Sequence, residues 1–176
     1  RHSYGSLGLG YGWLTAGGAL QQPLLARLRR NSGFHAPEAD CPLILIGNGT
    51  GLAGLRSLLK QRIGAGQSRN WLLFGERNAA HDFYCREELD GWLASGELAR
   101  LDLAFSRDQA AKVYVQDRLR MAAEHLRNWV AEGAAIYVCG SLDGMAGGVD
   151  AVLREVLGDA QVEALIEEGR YRRDVY

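Results

Sequence analysis

From Pro42 onward, short apolar runs alternate with longer stretches in which apolar residues return every three or four positions. Leu43-Ile44-Leu45-Ile46 lies between Pro42 and Gly47. A brief apolar run with such boundaries predicts a strand buried on both faces. Trp71-Leu72-Leu73-Phe74, Leu101-Asp102-Leu103-Ala104-Phe105 and Ala135-Ile136-Tyr137-Val138-Cys139 read the same way. Between them the spacing is helical. Leu52, Leu55, Leu58, Leu59 and Ile63 form one stripe. Phe83, Leu89, Trp92 and Leu93 form a second, on a helix from Phe83 to Leu93. Leu119, Ala122, Ala123, Leu126 and Trp129 form a third, on one continuous helix from Val115 to Val130. Val149, Val152, Leu153 and Val156 mark a helix from Met145 to Leu157, and a last short helix runs from Ala160 to Glu168.

Strand–helix alternation with connections of this length implies right-handed βαβ units. The expected fold is therefore α/β: a doubly wound, Rossmann-like parallel sheet of about five strands with helices on both faces. Residues 1–40 differ in texture. They are rich in glycine and poor in helical period, and Pro23 and Pro37 fall within them, just ahead of Pro42. This shift predicts a separate segment over 1–40 and a nucleotide-binding domain over 41–176. The chain begins at Arg1 without a methionine, so sequence upstream is expected.

Composition narrows the function classes. The 176 residues are 47% apolar and 23% charged, with a net charge of −1. That balance gives no electrostatic footing for nucleic acid. No apolar run approaches the roughly 18 residues of a membrane span, and no signal peptide is visible. Cys41, Cys85 and Cys139 are odd in number and far apart, as reduced thiols of a cytoplasmic protein are. His2, His35, His81 and His125 show no paired spacing, so no metal site is expected.

Four segments carry candidate chemistry, each just past a predicted strand or at the C-terminus. Gly47-Asn48-Gly49-Thr50-Gly51 joins a strand to a helix. Glycines there allow a tight turn, and free N–H groups at the helix start attract phosphate. The same residues also suit a glycine turn that binds nothing, with Thr50 as a helix cap. Glu76, at the end of the second strand, lies later than the acid that holds ribose in an ordinary Rossmann domain. Ser106, Arg107, Lys112, Tyr114 and Gln116 follow the third strand. A hydroxyl, a guanidinium and an ammonium in one loop suit a phosphomonoester, and Tyr114 suits stacking on a base. Alternatively this is a solvated loop with Ser106 as a cap. Cys139 ends the fourth strand, where a free cysteine is commonly a core residue. The tail, Arg170 to Tyr176, looks set to fray.

In this order the four segments resemble the nicotinamide-dinucleotide domain of the ferredoxin–NADP reductase superfamily, and its diflavin reductases most. The resemblance runs from about Gly8 to Tyr176 and is strongest from Leu43 onward. It implies NADPH and FAD as cofactors. Gly49, Thr50 and Gly51 would hold the pyrophosphate, and Ser106, Arg107, Lys112, Tyr114 and Gln116 would select the 2′-phosphate and adenine. Cys139 would lie against the nicotinamide, Asp174 would stabilise charge across the two rings, and Tyr176 would cover the flavin. Gly8, Leu9, Gly10 and Tyr11 resemble the loop that wraps the FAD pyrophosphate, so residues 1–40 would be the end of an FAD-binding barrel domain. The implied activity is hydride transfer from NADPH to FAD, then electron transfer to an acceptor such as an FMN domain, a haem protein or an iron–sulfur protein.

The chain departs from the family pattern at Asn48 and Gly54, where relatives usually have proline. It departs again at Tyr11, where they have a short hydroxyl, and at Ser141 and Gly148, where they often have acids. The last three favour an alternative: a nucleotide-binding regulatory or interaction module without turnover. A third reading, an unrelated dehydrogenase with its own substrate pocket, finds no Tyr-x-x-x-Lys or catalytic histidine arrangement.

Overall fold

The computed structural model describes residue 31, residues 33–37 and residues 40–176. Five parallel strands form one sheet: β1 (Leu43–Asn48), β2 (Asn70–Glu76), β3 (Arg100–Phe105), β4 (Ala135–Gly140) and β5 (Tyr171–Val175). Their order is β3-β2-β1-β4-β5. The helices are α1 (Gly51–Gly64), α2 (Ala79–Asp82), α3 (Arg86–Ser95), α4 (Val115–Met121), α5 (Ala123–Ala131), α6 (Gly147–Leu157) and α7 (Asp159–Glu167). This is the doubly wound architecture the alternation predicts.

The period of two along each strand divides the core cleanly. Leu43, Leu45, Leu72, Phe74 and Tyr137 face α1 and α3, where they meet Leu55, Leu59 and Leu89. Ile44, Ile46, Trp71, Leu73, Ile136 and Val138 face the other way, onto Leu119, Leu126, Val149, Val152 and Leu165 of α4 to α7. Both faces are thus covered, and the central strands are apolar throughout.

Three local features differ from the sequence reading. The segment expected to be helical from Phe83 is interrupted before α3. Cys85 has φ 63°, the left-handed region, and α2 and α3 lie on either side of the break. On α3 only Leu89 is fully buried, while Leu93 is exposed. The helix expected from Val115 to Val130 is two helices that break at Ala122, although their apolar stripe runs through. The tail does not fray: it is β5, paired with β4 from Ile136↔Tyr171 to Gly140↔Val175.

Asn31–Tyr176 form a compact unit. Phe34 packs on Tyr137 with ring centroids 5.3 Å apart, and Asn31 donates to the Asp174 carboxylate over 3.3 Å. No helix among the described residues is long and apolar enough to cross a membrane.

β1 and β4 are neighbours, yet their helices leave on opposite faces. At such a point the sheet opens a crevice beyond its strand ends. The backbones are very close here. A Cβ added at Gly47 or Gly51 would overlap the carbonyl oxygen of Cys139, and one at Gly140 would overlap Asn48. Gly47 is interior to β1, so its Cβ-free surface is a packing requirement. Gly47→Ala is expected to cost about 3 kcal/mol, the upper range for overpacking. Urea denaturation checks this, and an unchanged midpoint would contradict it.

Candidate functional site

The glycine turn is held from both sides. Gly49 has φ 56° and donates its N–H to the Gly75 carbonyl over 3.2 Å, which ties the turn to the end of β2. On the β4 side, Asn48 Oδ1 accepts from the Ser141 N–H at 3.0 Å. Thr50 occupies the N-cap position of α1, but its hydroxyl makes no capping bond. It lies 2.6 Å from the Tyr176 hydroxyl instead. The capping reading therefore fails for Thr50. It fails for Ser106 too, since the helix after it begins only at Val115.

A cleft of about 860 Å³ opens over the C-terminal ends of the strands. Gly49 and Thr50 form its floor, and Ser106, Tyr114 and Gln116 form a wall. Five of the residues predicted from sequence are thus gathered here. Arg107 and Lys112 are exposed on the same loop and do not line the cleft. Among the described residues neither makes an ion pair. The loop is anchored where it leaves β3: Ser106 N–H donates to the Glu76 carbonyl and Arg107 N–H to the Arg77 carbonyl, both at 2.9 Å.

Gly51 is buried beneath the cleft and lets α1 start against the end of β4. Gln116 lies over Gly148, where an added Cβ would come within 3.0 Å of its amide carbon. The missing side chain at 148 thus provides the space that Gln116 fills.

Cys139 sits on the α1 side of β4 and is only 3% exposed. A Cβ at Gly54 would lie 3.3 Å from its sulfur, so α1 covers the thiol closely. Burial, and then the charge of Asp174, push the thiol up to about 11. Cys139 and Asp174 are register partners across β4 and β5. Beyond them Tyr176 N–H donates to the Gly140 carbonyl at 3.1 Å, and Leu142 N–H to the Tyr176 carbonyl at 3.0 Å. The last residue is thereby fixed beside Thr50, with its ring exposed. Cys139, Asp174 and Tyr176 do not line the cleft but lie along its β4–β5 side. The Gly8–Tyr11 loop lies outside the described residues.

Arg77, Tyr84 and Asp143 also line the cleft and were missed. Arg77 could have been found, because it directly follows a strand end. Asp143 enters through a kink, where Asp143 and Gly144 leave helical geometry (φ −73°, ψ 120° and φ 80°, ψ −54°) inside a π-helical turn over Leu142–Ala146. No periodicity announces such a turn. Among the described residues no group of three or more metal-ligating side chains forms a metal site.

The geometry is that of a dinucleotide domain, and the comparison with known proteins agrees. Residues 45–151, more than half the chain, match the oxidoreductase NAD-binding domain family. The chain belongs to that family, which is the nucleotide-binding module of the ferredoxin–NADP reductases. It is 42% identical over 161 residues to the sulfite reductase [NADPH] flavoprotein alpha-component of Neisseria meningitidis serogroup B (strain MC58), covering 85% of this chain and 27% of the relative. It is 40% identical over 161 residues to the protein of the same name from Yersinia pestis, with the same coverage. The chain spans about a quarter of the length of the curated relatives it matches.

Thiol reactivity offers a check on the buried cysteine. A thiol raised to about 11 is almost wholly protonated at pH 8 and is shielded by α1. Iodoacetamide at pH 8 is expected to label exposed Cys85 first and Cys139 last, by peptide mass mapping. Early labelling of Cys139 in the folded chain would contradict the packing described.

Proposed function

We propose that this chain is the NADPH-binding part of an FAD-dependent oxidoreductase. In this reading the whole protein passes a hydride from NADPH to FAD and then electrons to a further acceptor. That acceptor would be an FMN domain, a haem protein or an iron–sulfur protein, in the cytoplasm. The observation that carries the reading is one cleft: the turn at Gly49 and Thr50 and the loop at Ser106, Tyr114 and Gln116 meet over the switch point. The kinship with proteins named as NADPH flavoproteins supports the choice of coenzyme.

The fit to a dinucleotide rests on donor chemistry. The N–H groups of Thr50 and Gly51, which have no acceptor among the described residues, and the Thr50 hydroxyl suit a pyrophosphate. Arg77, in the cleft wall beside them, adds a cation. Ser106, Arg107 and Lys112 suit a 2′-phosphate, and the two cations, exposed and without ion pairs to described residues, are free to turn onto it. Tyr114 offers its ring to adenine. When bound, the nicotinamide and the flavin supply the hydride chemistry, and the protein supplies alignment.

On the β4–β5 side of the cleft, Cys139 keeps a weakly polar sulfur buried against α1, next to the place proposed for the nicotinamide. Asp174 holds a negative charge nearby, steadied by Asn31. Tyr176 occupies the place beside Thr50, so its hydroxyl must release Thr50 when that residue turns to a ligand. For FAD, Gly8 to Tyr11 would hold the pyrophosphate by backbone N–H groups, with the rest of the flavin site supplied by sequence upstream.

Isothermal titration of the chain with NADP and NAD tests this reading without flavin. NADP is expected to bind more tightly. Arg107→Ala should weaken NADP about 10- to 100-fold, the scale of hydrogen bonds between charged groups, and leave NAD nearly unchanged. Equal losses for the two coenzymes would contradict the phosphate role.

A further inference from the structure

Glu76 ends β2 and lines the cleft. Its backbone is one residue past Gly75, whose carbonyl receives the Gly49 N–H. Its carboxylate reaches back to the glycine turn: Oε1 is 3.7 Å from where a Gly49 Cβ would stand. The other oxygen, Oε2, accepts from the Arg77 backbone N–H at 3.0 Å, which fixes the carboxylate's orientation. Among the described residues Glu76 has no salt-bridge partner. A half-buried acid is thus held in place with acceptor capacity left over, in a cleft whose lining also holds Asp82, Asp143 and one cation, Arg77.

Spacing along the chain places Glu76 late for a Rossmann ribose acid. The structure removes that objection, because what matters is position in the sheet. Glu76 stands at the carboxyl end of the strand adjacent to β1, beside the first glycine turn, where a doubly wound fold keeps the acid that receives ribose hydroxyls. The late count reflects the length of α1 and of the loop from Ala65 to Arg69, not a different location.

We propose that Glu76 is a second specificity-determining residue: it accepts hydrogen bonds from the free hydroxyls of the adenosine ribose and opposes a phosphate at the same place. The proposal rests on the dinucleotide reading above. The cleft then holds two opposed selectors on neighbouring strand ends. The loop after β3 favours a 2′-phosphate, and the acid at the end of β2 favours an unmodified ribose. The chain therefore tolerates the non-phosphorylated coenzyme better than its cationic loop alone would allow.

The test uses the full 176-residue chain and two probes, 5′-ADP and 2′,5′-ADP, by isothermal titration. Glu76→Gln and Glu76→Ala are compared with the unsubstituted chain, and circular dichroism checks that each variant folds. Both variants are expected to weaken 5′-ADP, Glu76→Ala by about tenfold, and to leave 2′,5′-ADP unchanged or tighter. The ratio of the two affinities thus moves toward the phosphorylated probe, opposite to its shift in Arg107→Ala. Equal weakening of both probes would make Glu76 a mere support of the glycine turn and overturn the assignment, as would no change in either. If the unsubstituted chain binds neither probe, the assignment and the dinucleotide reading fall together. If it binds 2′,5′-ADP and only the Glu76 effect is missing, the assignment falls alone.

Discussion

The structure depends on how closely β1 and β4 approach at their carboxyl ends. Three glycines permit it: Gly47 and Gly51 face the Cys139 carbonyl, and Gly140 faces Asn48, all without room for a Cβ. This approach closes the sheet below and leaves the switch point open above. It lets α1 begin directly over β4, beneath the cleft floor at Gly49 and Thr50. It also places the end of β4, and hence β5 and Tyr176, against Thr50. Any side chain in that seam would separate the glycine turn from the tail.

From that seam the cleft is assembled by short backbone links. Gly49 is tied to β2, Asn48 to the turn after β4, and Ser106 to the end of β2. The functional side chains come from loops, but the loops are pinned to strands within a residue or two. Precision of this kind suits the proposed task of aligning a cofactor rather than performing the chemistry. The long cationic side chains of Arg107 and Lys112 are the exception. They stand exposed beyond the pinned part.

Much of the fold was legible. Leu43 to Ile46 and Ala135 to Cys139 read as strands because a parallel sheet covered on both faces demands apolar residues at every position. The helical stripes were equally plain. What was not legible had local causes. Cys85 adopts a left-handed conformation that no residue preference signals, and it splits the segment before α3. Ala122 breaks a helix without breaking its apolar stripe. β5 is an edge strand whose middle positions are Arg172, Arg173 and Asp174, so it shows no strand pattern; family resemblance alone pointed to its importance. Gly49, Thr50, Ser106, Tyr114 and Gln116, singled out by phosphate chemistry and resemblance, all line the one cleft. Arg77, Tyr84 and Asp143 reach the cleft by loop geometry, and Glu76 reaches it from the end of β2.

Amide chemical-shift mapping of the chain with NADP reports where the ligand sits without flavin or turnover. The account predicts shifts at Gly49, Thr50, Glu76, Arg77, Ser106 and Tyr114, all at the carboxyl ends of β1, β2 and β3 or in the loops that follow. Shifts confined to the opposite edge, around Arg62, Asn70 and Ala134, or none at all at saturating ligand, would contradict it.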